Sequence, residues 1–259
     1  MSTVKEPWEL GVMRSSGRRL AEVVAALKEA VVPGVTTAEL DALAEARIRA
    51  LGGVPSFKGY RVGRNVFPAS ICASVNNEVV HGIPGGRELH AGDVVSIDVG
   101  LIYGGYHSDC AFTVVLDGSS SEVARLLDVT RKSLYEGIAQ ALPGNRIGDI
   151  GHAVQSFVEP HRFGIIREYV GHGIGRLLHE TPSVPNYGKP RRGLLIKAGM
   201  CLAVEPMITM GSYKTKVLAD GWTVVTADGS LAAHFEHTIA VTPKGPEILT
   251  VLEGQDALN

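Results

Sequence analysis

Four carboxylates and one imidazole, spread over the middle and end of a 259-residue chain, are the side chains whose surroundings ask for chemistry. Asp98 lies within the β-rich run 93–101 and Asp109 just before the run 110–116, the two runs flanking Tyr103-Gly104-Gly105. If Tyr103-Gly104 is a two-residue turn, Asp98 faces Asp109 directly, with both side chains on one side of the hairpin. Like charges so placed repel, and burial worsens the repulsion, so a buried pair needs a shared proton, arginine partners or divalent cations. An Asp pair in solvent is the plain alternative. Glu205 is a lone charge in the apolar run Met200 to Met207, and Pro206 favours an extended backbone at the residue before it. Such a buried carboxylate needs a partner. Alternation along Ala233 to Val241 puts His234, Glu236 and Thr238 on one face; a half-exposed strand would also account for Glu236.

His172 lies among Gly171, Gly173 and Gly175, which leave little side-chain bulk to hinder a ligand. The spacing is not that of a dinucleotide-binding loop. Taken together, Asp98, Asp109, His172, Glu205 and Glu236 form an oxygen-rich set with one imidazole and no thiolate. That set suits Mn²⁺, Fe²⁺ or Co²⁺, accepts Zn²⁺, and holds two ions if some carboxylates bridge. Two such ions can activate a water and polarise a carbonyl, the chemistry of amide hydrolysis.

The elements that must position these residues are legible in outline. Residues 9–32 carry apolar side chains at helical spacing up to Pro33-Gly34, and Thr36-Thr37-Ala38-Glu39 reads as a capping box for a second helix to about Leu51. The same grammar returns 110 positions later, with a helix over about 122–142, then Pro143-Gly144, then a helix carrying Asp149-Ile150. Glu39-Leu40 and Asp149-Ile150 each begin five residues after their glycine, which suggests internal duplication. Residues 222–226 and 231–241 flank Asp228-Gly229, a second hairpin signal. Helices followed by antiparallel strands, twice over, argue for an α+β fold. No Gly/Ser linker separates the halves, roughly 1–118 and 119–259, so one catalytic domain sharing one core is expected.

Composition sets outer limits. With 25 Lys+Arg against 27 Asp+Glu, there is no basic excess to suggest nucleic-acid binding. The first eight residues lack the charged and apolar regions of an export signal, and no apolar stretch is long enough to span a membrane. Cys72, Cys110 and Cys201 are odd in number and have no metal-thiolate spacing, so they read as small buried hydrophobes in a reducing cytoplasm.

His81-Gly82-Ile83-Pro84, Ile97-Asp98-Val99, Asp109, Gly171-His172-Gly173-Ile174-Gly175, His179-Glu180, Val204-Glu205-Pro206-Met207 and Phe235-Glu236-His237-Thr238 resemble the signatures of the methionine aminopeptidases. The resemblance spans nearly the whole chain. It implies the pita-bread fold, two pseudo-symmetric halves around a central antiparallel sheet. It also implies that Asp98, Asp109 and Glu236 hold one divalent metal ion and that Asp109, His172, Glu205 and Glu236 hold another, the ions being Co, Mn, Fe or Zn. Glu205 would be the general base for the attacking water. His179 would hydrogen-bond the oxygen of the tetrahedral intermediate, and His81 would contact the scissile amide and assist proton transfer. The substrate's free α-amine would bind a metal, and Phe57, Tyr60, Phe67, Cys72 and Trp222 would line the methionine pocket.

Only 31 positions separate Glu205 from Glu236, too few for the helical insert of the type II enzymes, so the resemblance is to type I. The short region before the first helix leaves no room for the zinc-binding extension of some eukaryotic relatives. The implied partners are nascent polypeptide N-termini with a small second residue, together with transient ribosome association by a monomer. The rival readings are a proline-specific peptidase of the same fold (an Xaa-Pro aminopeptidase or prolidase) and a pita-bread protein that only binds partners. The first would carry a large additional N-terminal domain, and the second would show degenerate ligands.

Overall fold

A computed structural model describes residues 4–118 and 120–252. Its helices come in two pairs, α1 (Pro7–Ala30) with α2 (Thr37–Ala50), and α3 (Ser121–Ala139) with α4 (Ile147–Val158). In α1 the helically spaced Leu20, Val23, Val24 and Leu27 are buried, as the sequence pattern requires. The two pairs end and restart alike. Gly34 and Gly144 adopt φ of 92° and 96°, a region L side chains rarely enter. The Gly34 N–H donates to Leu89 O at 2.8 Å and the Gly144 N–H to Ile196 O at 3.0 Å. Thr36 and Glu39 form the expected reciprocal cap, and Asp149 accepts the Arg146 N–H in the same role. Both caps are stitched to a distant segment, Thr36 to Glu88 and Arg146 to Leu195.

An antiparallel sheet carries both helix pairs on one of its faces. It runs from Val54–Pro55 through Val94–Tyr103, Tyr106–Val115, Glu236–Thr242, Cys201–Val204 and Gly171–Gly173 to Glu180–Val184. Ile71–Val75 adds to the Val94–Tyr103 strand and Gly245–Ile248 to the Glu236–Thr242 strand. The hairpin Val94–Tyr103/Tyr106–Val115 and the pair Cys201–Val204/Glu236–Thr242 thus stand side by side, joined at Glu236↔Ala111 and His237↔Cys110. One apolar cluster fastens α1 and α2 to the first pair, a second fastens α3 and α4 to the other, and Phe235 packs against both. No helix among the described residues is long and apolar enough to cross a membrane. All three cysteines are buried and free, as expected of small hydrophobes.

Three expectations are corrected. The hairpin turn is Gly104-Gly105, with φ of 59° and 79°, and Tyr103 pairs with Tyr106. A two-residue turn of this hand needs positive φ at both central residues, which two glycines accept and Tyr103 does not. Asp98 therefore faces Ala111 and Asp109 faces Gly100, so the two carboxylates are diagonal neighbours on one face instead of directly opposed. The second hairpin does not form. Val224–Thr226 pairs with Thr215–Val217 and Glu78–Val80, whereas Ala232–His234 pairs with Met207–Thr209. The chain does turn at Asp228-Gly229, but Asp228 accepts the Ser212 and Ser230 N–H groups and ties the turn to a third segment. The expected 231–241 strand is also interrupted at Phe235, between Ala232–His234 and Glu236–Thr242.

Candidate active site

The four carboxylates converge from the two central strand pairs. Asp98 and Asp109 come from the first hairpin, Glu205 follows the Cys201–Val204 strand directly, and Glu236 opens its own strand. Their backbones are fixed by buried side chains as well as by the ladder. The Thr238 hydroxyl accepts the Asp109 N–H and donates to the Asp109 carbonyl, each at 2.8 Å. The Asn186 amide, itself fully buried, donates to Glu205 O at 2.9 Å. Asp109 and Glu236 are 4% and 2% exposed. Asp98 Oδ1 and Glu236 Oε1 are enclosed without any hydrogen-bond partner among the described residues.

No lysine or arginine among the described residues lines the cavity they share. Burial pushes the Asp98 carboxyl up to about 7. It raises Asp109, Glu205 and Glu236 well above the usual carboxylate range, and mutual repulsion among the four adds to the shift. Of the three ways to relieve such a cluster, arginine partners are absent, which leaves protons or cations. Ligand atoms of Asp109, His172 and Glu236 lie within 4.8 Å of one another, a separation that a single ion can span. The donor set and its orphaned oxygens therefore fit hard divalent cations.

His172 sits in the Gly171–Gly173 strand. Its Nδ1–H donates to Gly173 O at 2.9 Å, so Nε2 keeps its lone pair, and that atom is 3.4 Å from Glu205 Oε1. Burial depresses this imidazole to about 3, so it is neutral. The flanking glycines serve a different purpose from the ligand access expected of them. A Cβ at Gly171 would stand 2.3 Å from Ala203 O, and one at Gly173 would stand 2.3 Å from Thr181 O. They let the strand lie tightly between its neighbours.

The metal-ligand candidates form one end of a cavity of about 200 Å³, and Phe57, Tyr60, Phe67, Cys72 and Trp222 all line it, with His81 and His179. Phe67 packs edge-on to Trp222 at 5.2 Å between ring centres and to Phe57 at 6.5 Å. Tyr60 Oη lies 2.6 Å from His179 Nδ1, and the His179 ring is 4.3 Å from that of His172. His81 takes a left-handed backbone, φ 60°, unusual for a residue other than glycine and typical of side chains held for function. Burial lowers its imidazole to about 4. The structure thus brings together in one cavity the site residues expected from the sequence.

Sequence reasoning missed other residues in the same wall. Tyr169 meets His81 edge-on at 5.5 Å, and its place just before Val170-Gly171-His172 was the signal available. Met207 directly follows the Glu205-Pro206 pair and lines the cavity too. His234 was noted only as sharing a face with Glu236. It lines the cavity with Nε2 3.8 Å from Glu205 Oε2, and burial lowers it to about 3.

Comparison with known proteins agrees with this geometry. Residues 11–243 match the model of metallopeptidase family M24. "Methionine aminopeptidase 1" of Bacillus subtilis is 52% identical over 96% of this chain and 99% of its own length. "Methionine aminopeptidase" of Clostridium perfringens is 51% identical over 98% of this chain and 100% of its own. The crystal structure of methionine aminopeptidase from Rickettsia prowazekii superposes with a TM-score of 0.93 at 41% identity, covering 97% of this chain and 100% of that one. The α+β sheet backed on one face by two helix pairs is the pita-bread fold. The chain belongs to metallopeptidase family M24 and, within it, to the type I methionine aminopeptidases.

Proposed function

We propose that this protein hydrolyses the first peptide bond of polypeptides that begin with methionine, releasing that residue. The observation that carries the reading is the joining, in one cavity, of a buried carboxylate–imidazole cluster without lysine or arginine to an aromatic- and sulfur-lined recess. Asp98, Asp109 and Glu236 would hold one divalent ion, and Asp109, His172, Glu205 and Glu236 a second, with Asp109 and Glu236 shared. When bound, a pair of Co, Mn, Fe or Zn ions supplies Lewis acidity toward the scissile carbonyl and lowers the pKa of the attacking water.

The chain's own groups do the rest. Glu205, whose carboxyl is raised by burial and by Asp98 and Asp109, takes the proton of the attacking water. Tyr60, donating to His179 Nδ1, leaves the His179 proton on Nε2, from which it can donate to the oxygen that becomes negative in the tetrahedral intermediate. His81, neutral and held between Tyr169 and Trp222, faces the scissile amide and assists proton transfer to the leaving nitrogen. Phe57, Tyr60, Phe67, Cys72 and Trp222 enclose the methionine side chain, whose thioether makes favourable contacts with ring edges.

The reading extends to nascent chains with a small second residue, cut in the cytoplasm by a monomer that visits the ribosome, and to one catalytic domain over 1–259 with halves at 1–118 and 119–259. The test is cleavage of Met-Gly-Met-Met and Ala-Pro-Gly by metal-stripped protein with Co²⁺, Mn²⁺ or Fe²⁺ restored, followed by mass spectrometry. Metal-dependent loss of a single methionine is the expected result. Cleavage only before proline would replace the specificity, and cleavage of neither peptide would remove the activity.

A further inference from the structure

His234 is a buried imidazole with no duty in this scheme. It is 1% exposed, lines the cavity, and its Nε2 is enclosed without a hydrogen-bond partner among the described residues. Leaving an enclosed polar atom unpaired is destabilising, so such an atom in a site calls for a partner that shifts toward it. The charged group beside it is Glu205, Oε2 at 3.8 Å, while the other oxygen, Oε1, is 3.4 Å from His172 Nε2. Glu205 thus stands between two imidazoles that are not equivalent. His172 has committed its proton to Gly173 O and offers Glu205 only a lone pair. Among the described residues no carbonyl takes a proton from the His234 ring, which can carry it on Nε2.

The backbone of His234 is also clamped. Its N–H donates to Thr113 Oγ1 at 2.9 Å, and the same hydroxyl donates to its carbonyl at 2.7 Å while lying 2.8 Å from Ser96 Oγ. This repeats, on the neighbouring strand, the two-way grip of Thr238 on Asp109.

We propose that His234 is a positioning residue for Glu205: its Nε2–H donates to Oε2 and holds the carboxylate in the rotamer that keeps Oε1 beside His172. A swing of the carboxylate by about 1 Å brings the pair into hydrogen-bond range. The proposal rests on the reading of Glu205 as the general base.

The test compares His234→Gln, which keeps an N–H donor, with His234→Leu, both in the full-length Co²⁺-loaded protein. The leucine variant is expected to bind as many Co²⁺ equivalents by calorimetry as the unmutated protein. Its visible Co²⁺ absorption should shift, and its kcat should fall about 10- to 100-fold with KM nearly unchanged. The glutamine variant should recover the spectrum and most of the kcat. In a Glu205→Gln background, His234→Leu should add no further loss. Loss of a Co²⁺ equivalent in the leucine variant would make His234 a ligand and overturn the proposal. So would an unchanged spectrum and kcat in that variant, or a glutamine variant as impaired as the leucine one. A fully active Glu205→Gln protein would instead remove the base reading, and the two His234 spectra would still report whether the imidazole holds the carboxylate.

Discussion

The two halves of the molecule share a scaffold and use it differently. In the first half the two central strands are joined by Gly104-Gly105, and a ten-pair ladder from Val94↔Val115 to Tyr103↔Tyr106 sets where Asp98 and Asp109 stand. In the second half the equivalent strands are separated by the 31 residues 205–235, an excursion that carries Trp222 and His234. No turn fixes those two glutamates relative to one another. The ladder from Cys201↔Ala240 to Val204↔His237 does it instead, reinforced by side chains: Asn186 on Glu205 O, Thr238 across to Asp109 and Thr113 across to His234. Each half also places an imidazole six positions beyond the strand that flanks its pair, His81 after Ile71–Val75 and His179 after Gly171–Gly173. A tight hairpin sets its two carboxylates by turn and ladder, with one hydroxyl gripping Asp109, while a long excursion makes room for specificity and leaves its glutamates to the ladder and to buried side chains.

The largest effect should come from the second half. Glu205→Gln is expected to lower kcat by about 100-fold or more while metal content, checked by elemental analysis, is kept. Near-normal turnover in the loaded variant would shift the base elsewhere. Next, His172→Ala should weaken Mn²⁺ binding by roughly an order of magnitude or more in a calorimetric titration of the metal-free protein; an unchanged titration would remove it from the ligand set.

The two threonine clamps sharpen the comparison further. Thr238→Val and Thr113→Val should each cost about 1–3 kcal/mol in chemical denaturation, because each leaves a buried N–H without its acceptor. Only Thr238→Val, which frees Asp109, should also weaken Mn²⁺ binding. Equal metal affinity in both variants would mean that the ladder alone holds Asp109.

The smallest effect is a pH dependence of the metal-free protein. Asp98 is raised to about 7, and burial and mutual repulsion raise Asp109, Glu205 and Glu236 as well, so folding strengthens their hold on protons. The stability this contributes is full below the unfolded carboxylate range and is lost as pH rises through the folded values. His81, His172 and His234 are depressed to about 4, 3 and 3. They oppose this trend only below about pH 6.5, where unfolded histidine takes up a proton. The melting temperature without metal should therefore fall between about pH 6.5 and 8, and saturating Mn²⁺ should remove the slope. A flat profile without metal would contradict the burial of the cluster.

Much of this was legible in the chain because it is local or anomalous. Pro33-Gly34 and Pro143-Gly144 with their caps write the helix pairs directly. Glu205 in an apolar run is conspicuous because a lone charge there demands a partner. What was not legible depends on choices between near-equal local options or on distant segments meeting. Tyr103-Gly104-Gly105 offers two overlapping turns, and only the φ demands of both central residues select the second. Alternation runs unbroken through Phe235, and the break there faces Glu205-Pro206, where the partner segment is itself interrupted between Cys201–Val204 and Met207–Thr209. The walls formed by Tyr169 and Met207, and the position of His234 over Glu205, exist only once the excursion has folded back.

The most direct test of a centre built by both halves is anomalous diffraction from crystals loaded with Mn²⁺. The account predicts two peaks about 3.5–4 Å apart, both within ligand reach of Asp109 and Glu236, one of them beside Asp98 and the other beside His172 and Glu205. Peaks confined to one half, or no peak within reach of Asp109 and Glu236, would contradict it.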